Sequence, residues 1–216
     1  MTSLGAEIEA FAARARSRLR AEPPGPFERR SDLRGDHSHE GGDWLGLVGR
    51  SPPREAAVLV PVVARAAGPT VLLTRRALNL RQHSGQIAFP GGRVDPEDGS
   101  PLVTAFREAE EEIGLDRATL QPLGFLDPYL SGTNYLVVPA VALVPGEPQL
   151  RVNREEVDHA FEVPLAFLMD AANHELHAGS WRGRVRQYYA MPYGDHYIWG
   201  VTAGILRNLY ERLYAP

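Results

Sequence analysis

Residues 90–115, PGGRVDPEDGSPLVTAFREAEEEIGL, constrain this chain more than any other stretch. A glycine pair and an acidic turn lead into a segment with helical periodicity, and Gly114 follows the last periodic residue, as is typical of a helix C-terminus. The apolar side chains of this segment form one stripe on a helical wheel: Leu102, Ala105, Phe106, Ala109 and Ile113. The stretch therefore predicts a loop followed by a helix with one buried face.

Three glutamates occupy a second sector of the same helix. Glu108, Glu111 and Glu112 point in similar directions on the wheel, whereas Glu110 points away from them toward solvent. Crowded carboxylates repel one another, so such a cluster is favoured where a divalent cation neutralises it. The commoner alternative for glutamates on a helix is a solvated acidic face. We predict that the three carboxylates form a magnesium site.

The spacing around these glutamates resembles the Nudix box, G-x5-E-x7-R-E-U-x-E-E-x-G-U, in which U is a bulky apolar residue. Gly92, Arg107 and the glutamates match this pattern. Asp98 replaces its first glutamate, eight residues rather than seven separate Asp98 from Arg107, and Ala109 is small for a U position. The resemblance to the Nudix family implies an α+β fold, in which helices sandwich a mixed β-sheet, with an N-terminal helical extension here.

The resemblance also implies the chemistry, which is metal-dependent hydrolysis of a diphosphate. Mg²⁺ or Mn²⁺ is expected on Glu108, Glu111 and Glu112, with the Gly91 carbonyl as a further ligand and Arg107 orienting the carboxylates through ion pairs.

The general base is expected to be one of these glutamates or Glu156. Glu156 lies in the segment 153–165, which is similar to a downstream NxxEV…VPL pattern of one subgroup.

That subgroup is identified by the segment just before the glycine pair. Residues 72–92 resemble the coenzyme A pyrophosphatase pattern LLTxRSx3Rx3Gx3FPGG, and only Ala77 departs from it. The resemblance implies coenzyme A as the small-molecule substrate, with 4′-phosphopantetheine and adenosine 3′,5′-bisphosphate as products.

The predicted substrate-binding residues are Arg76, Arg81, His83, Gly85 and Tyr129. The first three would supply cationic groups for phosphates, Gly85 would allow close approach of the backbone, and Tyr129 would supply an aromatic surface. The alternatives are ordinary surface charge for the cationic residues, a turn for Gly85 and packing at a strand edge for Tyr129.

Two other functions are compatible with the same motifs. The first is hydrolysis of another nucleoside diphosphate derivative, such as ADP-ribose or a dinucleotide. The second is a non-catalytic nucleotide-sensing module, although a sensor has no need of the complete glutamate set.

Composition narrows the remaining classes of function. The net charge of −4 with a pI of about 6.0 indicates no general attraction to nucleic acid or to anionic membranes. The chain contains neither cysteine nor lysine, which excludes a thiol nucleophile and a lysine Schiff base. No apolar run is long enough to cross a bilayer and no signal peptide is recognisable, so a cytoplasmic location is expected. The oligomeric state stays open.

The rest of the chain predicts one domain with an extension. Residues 1–54 are predicted to form a helix and a Pro/Gly/Arg-rich connection, and residues 55–216 the Nudix domain. His37 and His39 in the connection lack a complementary ligand set, and Trp44 is expected to pin the connection. Strands are predicted at 56–67, 70–75, 120–126, 136–144, 185–190 and 197–199, a surface loop at 127–135, a polar stretch at 174–184, and a final helix with the stripe Ile205, Leu206, Leu209 and Leu213.

Overall fold

The computed structural model describes residues 3–24, 33–35, 52–181 and 184–215. His37, His39 and Trp44 lie outside these residues. The helices are α1 (Ser3–Arg18), α2 (Pro101–Ile113), α3 (Leu165–Leu168) and α4 (Val201–Leu213). The strands are β1 (Arg54–Val63), β2 (Thr70–Arg76), β3 (Ile87–Ala88), β4 (Gly91–Arg93), β5 (Gln121–Phe125), β6 (Tyr129–Leu130), β7 (Tyr135–Val144), β8 (Val157–Pro164), β9 (Glu175–Trp181), β10 (Arg184–Tyr193) and β11 (His196–Trp199). None of the described helices is long and apolar enough to cross a membrane.

An eight-stranded mixed sheet forms the centre of the molecule. Its longest pairing is parallel and joins β1 to β7 from Arg54↔Tyr135 to Val63↔Val144. Both strands are nearly continuous apolar runs, as expected where a strand is buried on both faces. On the other side of β1, the antiparallel strands β2 and β4 pair with its two ends, and β8 pairs with β2.

Helices cover both faces of this sheet. On one face, the fully buried Ala105, Ala109 and Ile113 of α2 join a cluster with inward residues of β1 and β7. On the other face, α4 and the buried face of α1 complete a larger cluster. The predicted α+β arrangement, with a mixed sheet between helices and an N-terminal helix packed on the domain, is confirmed.

Three local predictions were wrong or incomplete. The predicted strands omit residues 157–164, which form strand β8 because their backbone pairs with β2 over its whole length. The predicted polar stretch at 174–184 contains strand β9, which pairs with β10 in a three-stranded sheet completed by β11. The predicted surface loop at 127–135 contains strand β6, and its first five residues, 127–131, are buried.

Candidate active site

Helix α2 is fixed at both ends by the residues that its sequence supplies. The Ser100 hydroxyl accepts a hydrogen bond of 3.3 Å from the Val103 amide, and Pro101 follows at the first helical position. At the other end Gly114 has a left-handed conformation with φ of 72°, and its amide donates to the Glu110 carbonyl at 2.9 Å. These ends and the buried apolar stripe determine the direction in which the glutamates point.

The glycine pair allows strand β4 to lie between β1 and the glutamates. Gly91 pairs with Val58 of β1, and a Cβ atom at Gly91 would lie 2.5 Å from the Ala57 carbonyl oxygen. A Cβ atom at Gly92 would overlap the carboxylate of Glu108. Both positions therefore require glycine, because the backbone of β4 packs directly against β1 on one side and a carboxylate on the other.

The carboxyl groups of Glu112 and Glu108 lie in poorly solvated positions. Glu112 is only 3% exposed; its carboxylate accepts a hydrogen bond of 3.2 Å from the Gly91 amide and lies 3.9 Å from Arg76 Nη1. Burial raises the pKa of Glu112 to about 8, since that hydrogen bond and the Arg76 charge compensate only in part. Burial likewise raises the pKa of Glu108, and the charges of Glu111 and Glu156 add to this effect.

Arg107 links four parts of the site. Its Nε and Nη2 each donate to one oxygen of Asp98 at 2.9 Å, which is the paired geometry that guanidinium and carboxylate groups favour. Its Nη1 donates to both Glu108 and Glu111 at 3.0 Å, and its Nη2 to the Arg93 carbonyl at 3.3 Å. The hydrogen bonds between Arg107 and Asp98 lower the pKa of the carboxyl and raise that of the guanidinium.

Asp98 reaches Arg107 despite its shorter side chain and its shifted place in the sequence. It also accepts hydrogen bonds from the Thr104 hydroxyl at 2.8 Å and the Asp95 amide at 3.0 Å. Asp98 and Thr104 therefore form the support behind Arg107. No sequence pattern indicated a role for Thr104, because this contact depends on how the acidic turn folds back onto α2.

The donor set fits a divalent cation, although the three carboxylates are not already gathered around one point. Among the described residues, no three His, Asp or Glu side chains are grouped closely enough to hold a metal ion. Arg107 lies between Glu108 and Glu111, and Glu111, with 56% of its side chain exposed, is free to change its rotamer. Glu108 and Glu112 supply buried, incompletely compensated oxygen donors, which Mg²⁺ and Mn²⁺ prefer.

Glu156 lies at the same end of the sheet. Its carbonyl accepts a hydrogen bond of 2.9 Å from the Ala77 amide, so the backbone just before β8 is joined to the end of β2. Its side chain is exposed, and its charge contributes to the raised pKa values of both Glu108 and Glu112. The structure thus brings Glu156 near the carboxylates of α2, from a different element.

The predicted substrate-binding residues divide into two groups. Arg76 borders the carboxylates, and its Nε atom is buried without a hydrogen-bond partner among the described residues. Arg81, His83 and Gly85 lie in the loop between β2 and β3, where Arg81 and His83 are exposed. His83 has φ of 56° and its ring hydrogen-bonds Gln86 at 2.8 Å, and Gly85 has φ of 68° in the tight return to β3.

Tyr129 does not belong to this site. It is only 4% exposed, belongs to the core on the α4 face, and packs directly against Gly204, where a Cβ atom would overlap its ring. The structure therefore does not bring Tyr129 together with the other predicted site residues. Its ring is held in the core because β6 turns it inward onto α4.

The chain is similar to several known proteins. A model of the NUDIX domain matches residues 53–182, more than half of the chain. An uncharacterized Nudix hydrolase NudL from Photorhabdus laumondii is 44% identical over 160 residues, which cover 74% of this chain and 85% of the relative. The protein of that name from Escherichia coli is 41% identical over 163 residues, covering 72% and 81%. A crystal structure of a C. elegans Ap4A hydrolase binary complex aligns with a TM-score of 0.45 at 20% identity, covering 51% of this chain and 80% of that one.

Proposed function

This chain belongs to the Nudix hydrolase family, and we propose that it hydrolyses the diphosphate of coenzyme A, and of its derivatives, with Mg²⁺ or Mn²⁺. Water is consumed, one phosphoric anhydride bond is broken, and the products are 4′-phosphopantetheine and adenosine 3′,5′-bisphosphate. One observation carries the proposal. The segment 72–92, which resembles the coenzyme A pyrophosphatase pattern, runs directly into the glutamate site and brings Arg76 to within 3.9 Å of Glu112.

Each side chain has a role that follows from its position. A divalent cation, when bound, neutralises the charge of the diphosphate and activates water. Glu108, Glu111 and Glu112 would hold it, and Arg107 keeps Glu108 and Glu111 close together through its two hydrogen bonds of 3.0 Å. The Nε of Arg76, which has no hydrogen-bond partner among the described residues, is a donor for a phosphate oxygen.

Glu156 is the proposed proton acceptor. It approaches the carboxylates from the end of the sheet and not from α2, and its exposed side chain can exchange protons with solvent. The raised pKa values of Glu108 and Glu112 have burial as their main cause, so those two side chains are better suited to hold a cation than to remain free as a base.

A substrate panel tests the assignment. Purified protein with Mg²⁺ or Mn²⁺ is incubated with coenzyme A, dephospho-coenzyme A and ADP-ribose, and the products are separated chromatographically. We expect release of both products from coenzyme A, with kcat/KM at least about tenfold higher than for ADP-ribose. Preference for ADP-ribose or a dinucleotide would move the assignment to another nucleoside diphosphate. Ligand-induced thermal stabilisation without any product would support the sensing module.

The chemistry is tested by a pair of variants on one helix. Glu111→Gln removes one charge from the proposed metal set and is expected to lower kcat by about 100-fold or more. Glu110→Gln removes the same charge from a side chain that pairs with Arg117 at 2.7 Å, and it should retain kcat within about twofold. Near-normal turnover of Glu111→Gln would remove Glu111 from the mechanism.

A further inference from the structure

Strand β9 forms the outer edge of the three-stranded sheet. It pairs with β10 from Trp181↔Arg184 to Glu175↔Ala190 without a register shift, and β11 lies on the opposite side of β10. Every second residue of an edge strand directs its amide and carbonyl outward. No hydrogen bond joins the backbone of β9 to a described residue outside this sheet. Within the described chain, β9 therefore offers a row of free backbone donors and acceptors to another strand.

The outer strands β5 and β8 of the eight-stranded sheet are protected against such pairing. Pro122 and a register shift interrupt β5, and the backbone of Arg20 covers its end with hydrogen bonds of 3.1 and 2.8 Å to Phe125. Strand β8 carries two carboxylates and ends in a proline: Asp158, Glu162 and Pro164. Charges, prolines and bulges are the usual devices that prevent one sheet edge from pairing with another.

Strand β9 has none of these devices in its interior. Its sequence, ELHAGSW, contains no proline, arginine or lysine, and its one carboxylate, Glu175, stands at the first position. Leu176 is 51% exposed and Ala178 is also exposed. Gly179 lies inside the strand, a position where glycine often marks the close approach of another backbone. The composition of β9 thus favours pairing with a further strand.

A row of aromatic rings crosses one face of the sheet and ends at β9. The rings of His177 and Tyr188 stack with centroids 5.8 Å apart, and Tyr188 meets Trp199 at 5.5 Å. Trp199 and its neighbour Tyr197 are exposed, as is Leu176, which points to the opposite face from His177 because consecutive side chains alternate. A strand added to β9 would extend the aromatic row and cover apolar side chains on both faces.

The strand is complementary to itself. We propose that β9 pairs antiparallel, over its whole length, with β9 of a second copy of this chain, which joins two three-stranded sheets into one of six strands. Such a pair has twofold symmetry, the commonest symmetry of homodimers. Its seven residues place Ala178 opposite Ala178 of the partner subunit, and Glu175 opposite the last residue of the other strand. No like charges then face each other across the pair, and two small residues lie at its centre.

Mass measurement by size-exclusion chromatography with light scattering tests the pairing. At about 100 µM, wild-type protein is expected to have twice the mass of the 23.8 kDa chain. Leu176→Lys places a charge at the edge and should give the mass of a single chain, with an unchanged far-UV circular dichroism spectrum. Leu78→Lys is the matched control, because it makes the same substitution at an exposed leucine outside the sheet, and it should stay dimeric.

A single introduced cysteine locates the interface, since the chain has none of its own. Directly opposed residues of antiparallel strands have Cα atoms about 4.5–5.5 Å apart, within the range of a disulfide. Mild oxidation should therefore link Ala178→Cys into covalent dimers and leave Leu78→Cys unlinked.

Two results would overturn the proposal. The first is a monomeric wild-type protein at this concentration, which is also the result expected if another protein or another part of this chain covers β9. The second is a wild-type dimer that persists in folded Leu176→Lys protein or that is not linked through Ala178→Cys.

Discussion

Glu112 and Asp127 are both buried carboxylates, yet folding changes their pKa values in opposite directions. Asp127 accepts hydrogen bonds of 3.1 Å from Arg212 Nε and from Asn208 Nδ2, and Arg20 and Arg34 each place Nε within 3.6 Å. Burial alone would raise the pKa of Asp127, but these partners lower it overall. For Glu112 the nearest guanidinium nitrogen is 3.9 Å away, and the pKa rises to about 8.

The opposite pKa shifts of Asp127 and Glu112 distinguish a carboxylate that stabilises the fold from one that is suited to bind a ligand. A carboxylate with complete internal compensation needs no ligand, and its network joins the chain near α1, β6 and α4. An incompletely compensated carboxylate lowers the stability of the empty protein and favours the arrival of a cation. Substitution of Glu112 is therefore expected to reduce catalysis but not stability, and substitution of Asp127 is expected to reduce stability but not catalysis.

The largest expected effect is on catalysis at Glu112. Glu112→Gln should lower kcat by about 100-fold or more, because a ligand of the proposed cation is lost. In the presence of a chelator at pH 7, the same variant should gain about 1 kcal/mol of unfolding free energy, or a few degrees in Tm. The glutamate is ionised in the unfolded chain and must take up a proton or bury its charge on folding, whereas the neutral amide does neither. Steady-state kinetics and thermal unfolding measure both quantities. A Glu112→Gln protein that is clearly less stable would show that the carboxylate is already compensated.

Asp127 should show the reverse behaviour. Asp127→Asn is expected to lose about 3 kcal/mol of unfolding free energy at pH 7, because several arginines are left around a neutral amide. Since folding lowers the pKa of Asp127, its stabilising effect is complete above about pH 4 and is lost as the pH falls through the folded pKa. Urea unfolding between pH 3 and pH 7 measures this dependence, and kcat of the folded variant should stay within about twofold. A pH-independent loss would contradict the assignment.

Glu162 provides an intermediate and smaller case. It accepts hydrogen bonds from Arg65 at 2.9 Å and from the Thr70 hydroxyl at 2.6 Å, and 22% of its side chain is exposed. The hydrogen bond from Arg65 is the main cause of its lowered pKa. We expect Glu162→Gln to lose about 1 kcal/mol of unfolding free energy. Its activity should be unchanged. If Glu162→Gln lost as much unfolding free energy as Asp127→Asn, the contribution of these ion pairs to stability would not depend on how exposed they are.

The sequence predicted α2 well because the information for this helix is local. Its N-terminal cap, its apolar stripe and Gly114 all lie within fifteen residues, and the Nudix box adds the glutamates and Arg107. Asp98 departs from the spacing of the box, and whether its side chain reaches Arg107 depends on how residues 94–100 fold. The contact with Arg107 resolves that question through geometry that spacing alone did not contain.

The misassigned parts depend on distant residues. No strand was predicted at residues 157–164, because Val157, Ala160 and Phe161 do not alternate as in a strand and β8 depends on pairing with β2, about 85 residues earlier. Tyr129 is an aromatic residue of a type that often stacks on ligands, and the sequence does not show that its ring packs on Gly204 in the core.

The network around Asp127 has a consequence for the order in which the protein is completed on the ribosome. Arg20 and Arg34 are synthesised long before Arg212, and Asn208 and Arg212 belong to α4. Before α4 has emerged, burying Asp127 would leave it short of two of its hydrogen-bond donors, so a nascent chain is expected to keep this corner hydrated. The core side chains Leu206, Leu209 and Leu213 belong to the same helix. The apolar core on that face and the ion pairs of Asp127 can therefore both be completed only when α4 has been synthesised.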